Sequence, residues 1–348
     1  MNLAAHPPLG WGIIGCGRIA PRHAQSIHQV AHAHLVAAAD LKANRVEHFA
    51  QEYGCAAYTD YHALLHRADV QVVSVCVPSG LHAQVAIDAL QMGKDVLVEK
   101  PIAINLADAD RMIATAESTG RKLGVVLQNR YNHPLQALRG AIDEGKLGPL
   151  HLGNACVRWY RPQSYYEDEW HGTWAMDGGA LMNQSVHHID ALQWLMGPVA
   201  SVYAYTATRA HTMEAEDVGV AVVRFVSGAL ATIEGSTVTW PQNLEGSVAV
   251  FGAHGSVKIG GTALNRIELW KVAGELEQEA ELLTSQRVDP PSVYGYSHRE
   301  VIRDFVQAVL EDRPPDTPGA EARKSLALVL AIYASAQSGR EVHMAPAL

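Results

Sequence analysis

Gly15-Cys16-Gly17-Arg18-Ile19-Ala20 is the stretch on which the fold turns: a GxGxxA loop set between a short apolar run, Gly12–Gly15, and a helix-like segment. In that setting the first glycine permits a tight turn and the second lets the backbone approach a pyrophosphate. The small third residue lets helix pack on strand. The anion then rests on a helix N-terminus, where free N–H groups and the dipole favour negative charge, and Arg18 adds a cation. Asp40 ends the next apolar run, twenty positions past Ala20. A carboxylate at that spacing binds the adenosine ribose diol and repels a 2′-phosphate, a preference that Lys42 softens. Gly15, Gly17, Arg18, Ile19 and Asp40 are therefore candidate contacts to a dinucleotide, NAD rather than NADP. The competing reading is an ordinary strand-end turn with a surface acid; the strand context and the spaced acid together favour the cofactor.

Outward from this loop, apolar runs alternate with helix-like stretches over residues 10–128. The runs are Gly12–Gly15, Leu35–Asp40, Val70–Pro78, Asp95–Glu99 and Lys122–Gln128; amphipathic segments such as Ala83–Met92 and Leu106–Ser118 lie between them or follow. Strands covered on both faces read as unbroken Val/Ile/Leu/Ala runs, so this rhythm predicts a parallel sheet with crossover helices. Past about residue 148 the pattern changes. An aromatic-rich stretch, Trp159–Trp174, leads into one helical segment, Ala180–Met196. Hairpin-like pairs follow: Val218–Val226 with Ala229–Thr237 around Ser227-Gly228, then Ser247–Gly252 with Ser256–Ile259, then Gly260-Gly261 turning into Asn265–Lys271. Successive hairpins specify an antiparallel sheet. Helices over Ser297–Glu311 and Gly319–Ser338 close the chain, separated by Arg313-Pro314-Pro315. The fold class expected is α/β plus α+β. An NAD-binding Rossmann domain with a parallel sheet spans 1–130, and a substrate-binding and oligomerisation domain with an open, mostly antiparallel sheet spans 131–348.

Bulk properties exclude several function classes. The 348 residues carry a formal net charge of −9, leaving no basic field for nucleic acid or an anionic membrane. No run approaches the roughly 18 apolar residues of a membrane-spanning helix. The four cysteines, Cys16, Cys55, Cys76 and Cys156, have no CxxC spacing, which fits a reducing cytoplasm. The N-terminal MNLAAHPPLG lacks a basic segment followed by an apolar one, so no signal peptide is read there. The 18 histidines are scattered and no metal is expected.

At Val98-Glu99-Lys100-Pro101 the chain begins to resemble the glucose–fructose oxidoreductase/inositol dehydrogenase (Gfo/Idh/MocA) family. The resemblance covers nearly the whole chain. It includes the GCGRIA loop, Pro78-Ser79-Gly80-Leu81-His82, and Gly178-Gly179 followed by His187-x-x-Asp190. It narrows through Trp159-Tyr160-Arg161-Pro162-Gln163, Gly172-Thr173-Trp174, Met182-Asn183-Gln184, Glu214-Ala215-Glu216-Asp217, Asn243-Leu244-Glu245-Gly246-Ser247 and Ser292-Val293-Tyr294-Gly295-Tyr296. These look like the UDP-N-acetyl-2-amino-2-deoxyglucuronate dehydrogenases, which oxidise the sugar 3-hydroxyl in making cell-surface polysaccharides. The resemblance implies a homodimer or homotetramer, with contacts on the open sheet face.

It also implies roles. Removing hydride from a secondary alcohol requires a base and a charge-stabilising group at the same oxygen. Lys100 takes the role of orienting the hydroxyl and stabilising the alkoxide. His187 is the candidate base, with Asp190 either orienting its ring or making a structural hydrogen bond; Lys100 as base remains an alternative. Ser79, His82, Glu99, Lys100 and Gln128 fall at cofactor positions. Arg161, Tyr165, Asn183, Lys100 and His187 are candidate substrate contacts, an aromatic wall with a guanidinium suiting a sugar that bears a carboxylate. Two positions depart from the family: Asn183 stands where relatives often have Asp, and His171 where they often have Arg. The alternatives are another sugar or cyclitol dehydrogenase, a NAD-dependent glycosidase, or a non-catalytic NAD-binding sensor.

Overall fold

The computed structural model describes residues 7–261, 263–274, 295 and 297–344. The expected Ser292–Tyr296 motif lies outside them except for Gly295. The chain forms two compact units, Met1–Leu127 with Ser297–Arg323, and Gln128–Tyr296 with Lys324–Leu348.

The first unit is a six-stranded parallel sheet in the order β3-β2-β1-β4-β5-β6. Its strands are β1 (Leu9–Ile14), β2 (Ala33–Ala39), β3 (Ala56–Tyr58), β4 (Val72–Val75), β5 (Asp95–Val98) and β6 (Leu123–Val125). Helices α1 (Ala20–Gln29), α2 (Ala43–Tyr53), α3 (Tyr61–Leu65), α4 (His82–Gln91) and α5 (Leu106–Thr119) form the crossovers. Every residue of β4 and β5 is buried, as two-sided coverage requires of continuous apolar runs. The order reverses between β1 and β4, the switch point beside which such sheets bind ligands.

The single boundary expected at residue 130 needs correction. Residues 297–323 return to the first unit, because α8 (His298–Leu310) buries Val301, Ile302, Phe305 and Val306 there. Phe305 meets Trp11 edge-on with centroids 6.1 Å apart. It also fills the space left by Gly124, where a Cβ would stand 2.7 Å from its ring.

The second unit holds an eight-stranded sheet in the order β13-β12-β11-β7-β10-β9-β8-β14. The strands are β7 (Leu150–Arg158), β8 (Val199–Ala207), β9 (Val218–Phe225), β10 (Leu230–Ser236), β11 (Glu245–Gly252), β12 (Gly255–Gly260), β13 (Arg266–Val272) and β14 (Val342–His343). All pairings are antiparallel except β10 with β7. Along β9 burial alternates residue by residue. One face is thus core, while Val220 and Val222 with Tyr205 and Leu230 stand exposed on the strands beside them.

The segment read as one helix, Ala180–Met196, is two pieces. A π turn, Ala180–Gln184, precedes α7 (Val186–Met196), with Ser185 at the joint. Side chains catch amides at the start of the segment, which a helix leaves without internal partners. The Leu181 amide donates to Glu216 Oε1 at 2.8 Å and the Met182 amide to the Tyr333 hydroxyl at 3.2 Å. Burial pushes the Glu216 carboxyl up to about 7, even though the Leu181 amide and the Tyr333 hydroxyl favour its charged form. Helices α6 (His133–Asp143) and α9 (Gly319–Ser338) complete the elements used below. Among the described residues no helix is long and apolar enough to cross a membrane.

Candidate active site

In the first unit the cofactor loop separates two roles for glycine. Gly15 has φ +93°, and a Cβ there would meet the Cys76 carbonyl oxygen at 2.6 Å, so the fold itself requires glycine. A Cβ on Gly17 would meet nothing within 4 Å. Protein packing leaves that space open, and a pyrophosphate approaching the backbone fits it. Ile19 is the N-cap residue of α1 and makes no side-chain cap, while Arg18 is exposed beside it. Asp40 Oδ2 accepts the Cys16 amide at 2.9 Å and Oδ1 accepts the Lys42 amide at 2.9 Å, which aims the carboxylate back at the loop. Arg45 Nη1, unremarked in the sequence, lies 3.3 Å from Oδ2. Asp40→Ala removes charged acceptors worth about 1.5–3 kcal/mol and releases Arg45. NADH binding is expected to weaken about tenfold or more while NADPH binding strengthens, as read by titration of nicotinamide fluorescence.

The carboxyl end of β5 is held from below. Trp11 Nε1 donates to Ser74 Oγ at 2.8 Å, Ser74 meets His23 Nδ1 at 2.9 Å, and His23 Nε2 meets Glu99 Oε1 at 2.9 Å. Because the ionised Glu99 carboxylate can only accept, His23 carries its proton at Nε2, and in the neutral ring Nδ1 accepts the Ser74 hydroxyl proton. Glu99 Oε2 accepts the Lys100 amide at 3.2 Å. Burial pushes the Glu99 carboxyl up, but the hydrogen bond from His23 and the neighbouring His298 ring, 3.8 Å away, outweigh it and hold the group well below the usual carboxylate range. Glu99 thus has partners inside the unit at both oxygens. Ligating atoms of His23, Glu99 and His298 lie within 4.8 Å of one another; Glu99 Oε1 is 2.9 Å from His23 Nε2 and 3.8 Å from His298 Nε2.

His82 is also turned inward. It is buried, with Nδ1 2.8 Å from the Pro101 carbonyl and Nε2 3.0 Å from that of Val77, and burial lowers its pKa. Its two ring nitrogens face the carbonyls of two strand-end loops, and the neutral ring donates to one of them. Ser79 is buried in the 3-10 turn Ser79–Leu81. Lys100 is half-buried at the end of β5.

In the second unit, Gln128 Nε2 lies 3.1 Å from His187 Nε2. With the amide donating, the imidazole keeps its lone pair at Nε2. Gln128 Oε1 is buried with no hydrogen-bond partner among the described residues, an acceptor that a ligand amide would satisfy. Asp190 does not orient His187. It takes a two-pronged ion pair from Arg130, Nε to Oδ2 at 2.8 Å and Nη2 to Oδ1 at 2.7 Å, and a hydrogen bond from Ser325. His188 is fully buried edge-on to Trp159, its pKa pushed down to about 3 by desolvation.

The predicted substrate contacts Arg161, Tyr165 and Asn183 form one network through Gln184. Arg161 Nη2 donates to Gln184 Oε1 at 2.6 Å, and its Nη1 donates to the Tyr160 carbonyl and to Asn243 Oδ1. Its guanidinium stands over the rings of Trp159 and Tyr165, 5.3 and 5.6 Å from their centroids. Gln184 Nε2 donates to the Tyr165 hydroxyl and to Asn183 Oδ1. His171, where the family often carries Arg, is buried against Trp170 and Tyr165, with Nδ1 2.6 Å from Asp168. Arg130, Asp177 and Gln184 were missed by sequence reasoning. Only Gln184, inside a quoted motif, had a signal pointing to it.

Two family models match the chain: the oxidoreductase family, NAD-binding Rossmann fold, over residues 9–127, and the Gfo/Idh/MocA C-terminal domain over residues 135–258. A myo-inositol 2-dehydrogenase from Thermotoga maritima is 28% identical, covering 96% of this chain and 98% of its own. Among solved structures, the WlbA dehydrogenase from Bordetella pertussis, in complex with NADH and UDP-GlcNAcA, is 38% identical with a TM-score of 0.92. That match covers 97% of this chain and 98% of the other. The Chromobacterium violaceum WlbA dehydrogenase, in complex with the same two ligands, is 35% identical with a TM-score of 0.91, covering 99% and 98%.

Proposed function

Since the chain belongs to the Gfo/Idh/MocA oxidoreductase family and binds NAD in its Rossmann unit, we propose that it oxidises the 3-hydroxyl of UDP-N-acetyl-2-amino-2-deoxyglucuronate to the ketone, in cell-surface polysaccharide biosynthesis. One observation carries the reading of substrate. A guanidinium, flanked by two aromatic rings and aligned by Gln184 and Asn243, matches a flat anionic group attached to a sugar ring. The two WlbA complexes with UDP-GlcNAcA support it from outside.

The residues divide the work. NAD, when bound, would supply the hydride acceptor at its nicotinamide. Gly15, Gly17, Arg18 and Ile19 cradle the pyrophosphate, and Asp40 takes the adenosine ribose diol. Ser79 serves the cofactor through the loop it shapes, and Gln128 offers Oε1 to it. Lys100 orients the substrate hydroxyl and stabilises the developing alkoxide. His187 accepts the hydroxyl proton at Nε2, replacing its contact with Gln128. Arg161 and Tyr165 take the carboxylate end, and Asn183 a ring substituent. Purified protein given NAD and UDP-GlcNAcA should form NADH, and should lose most of that rate when the UDP group is removed. Turnover of a free cyclitol with none of the nucleotide sugar would sink the proposal. That second reading has its own support in the inositol dehydrogenase, similar over nearly the full chain.

The exposed Tyr205, Val220, Val222 and Leu230 on neighbouring strands suit a dimer or tetramer contact. Light scattering of the purified protein is expected to give a multiple of the 37.6 kDa chain mass; a monomer at micromolar concentration would remove the proposal. The four free thiols suit a reducing cytoplasm. Fractionation of cells expressing a tagged chain tests this, and recovery outside the cytoplasm would refute it.

A further inference from the structure

Asp177 is 1% exposed, and its Oδ2 accepts the Gly172 amide at 2.8 Å. Its Oδ1 accepts the side-chain amide of Asn183. The two residues flank the turn at Gly178, whose φ of +79° brings them side by side. A carboxylate has no proton to give, so Asn183 must turn Nδ2 toward it and Oδ1 away. Oδ1 then accepts from Gln184 Nε2 at 3.2 Å, and the second proton of that amide goes to the Tyr165 hydroxyl at 3.1 Å. With Nε2 so directed, Gln184 Oε1 faces Arg161 Nη2. Each amide in the series takes its direction from the one before it, and the series starts at an acceptor that cannot reverse.

We propose that Asp177 is a positioning residue for substrate recognition: it sets the direction of the Asn183 and Gln184 amides and thereby presents the Arg161 guanidinium and Tyr165 hydroxyl to an anionic sugar. That these groups meet a uronate rests on the function proposed above; the direction of the hydrogen bonds does not. The arrangement also explains why an amide suits position 183. An aspartate there would stand carboxylate to carboxylate with Asp177, while the present pair needs only one charge.

Asn183→Asp forces a proton onto the new pair, raising the folded pKa of one member above the ordinary value of about 3.9. A raised folded pKa means that stability is intact below the unfolded value and lost as pH rises through the folded one. The variant should therefore melt near the parent at about pH 4 and fall about 5 °C or more below it at pH 8. Asp177→Asn lets both amides flip, so that Gln184 turns an N–H toward Arg161. Its KM for UDP-GlcNAcA should rise about tenfold, more than its kcat falls. The exchange Asp177→Asn/Asn183→Asp restores the polarity. The amide introduced at position 177 would accept from Gly172 and donate to the carboxylate introduced at position 183, which still accepts from Gln184.

The double variant is expected to recover both the melting temperature at pH 8 and the KM. An Asn183→Asp variant with no pH-dependent deficit, or a double variant no better than the sum of the single ones, overturns the proposal. If the parent turns over no UDP-GlcNAcA, the functional reading fails. The melting series then still decides the role of Asp177, since it needs no substrate.

Discussion

Arg130→Met should lower the melting temperature by about 10 °C or more, and Arg130→Met combined with Asp190→Leu should return most of it. Arg130 and Asp190 are 6% and 2% exposed and share two hydrogen bonds below 3 Å. Removing one partner of such a pair leaves a buried charge uncompensated, at about 3–5 kcal/mol, and each kcal/mol moves the midpoint of a domain this size by about 2–4 °C. Ser325 gives Asp190 one hydrogen bond, which cannot replace a cation. Replacing both members with apolar residues of similar volume removes the stranded charge and is often neutral. The pair ties the start of the second unit, just past Gln128, to the middle of α7, one turn beyond His187. Both residues of the Gln128–His187 contact thus sit on backbone that Arg130 and Asp190 fix. A single variant melting within about 2 °C of the parent, by calorimetry or circular dichroism, would show that the charge is relieved some other way.

Much of the architecture could be read from local patterns because its causes are local. The loop at Gly15 follows a buried apolar strand, and Asp40 follows the next one. The β9–β10 hairpin turns at Gly228 with φ +89°, as its Ser-Gly dipeptide implies. Elements whose place depends on distant partners were harder to read. Strand β7 carries His151, Gly153 and Asn154, looks polar in isolation, and yet sits between β10 and β11, parallel to the first and antiparallel to the second. The three residues of β3, Ala-Ala-Tyr, form an edge strand too short to show a pattern of their own. Helix α8 has the composition of any amphipathic helix, and nothing local says that it joins the first unit.

The site divides the same way. Residue types named the chemistry, but the direction of a side chain beyond a strand end is set by what lies beneath it. Glu99 and His82 belong to a family motif and point inward, one to His23 and the other to two carbonyls. Asp190 shares a helical face with His187 and is claimed by Arg130 instead. The acid beside Asn183 comes from six residues upstream, across a left-handed turn that no helical periodicity reports.

Lys100→Met should reduce turnover by about 10²–10⁴. The backbone that carries this lysine is anchored on both sides: its amide donates to Glu99 Oε2, and the Pro101 carbonyl meets His82 Nδ1. Those anchors use main-chain atoms and survive the substitution, so the variant isolates the ammonium itself. In the proposed reaction that ammonium faces the oxygen on which negative charge builds as hydride leaves. A fixed charge there acts mainly in the transition state, and losses of this size follow removal of a proton-transfer or charge-stabilising group. The loss should therefore appear in kcat more than in KM. Lys100→Arg keeps the charge but spreads it over a wide planar fork and should recover little. The comparison separates a point donor aimed at one oxygen from a general positive field, because a field would be restored by either cation. Turnover above about a tenth of the parent in Lys100→Met, with NADH still bound, would remove Lys100 from the reaction and leave His187 to carry the proton unaided.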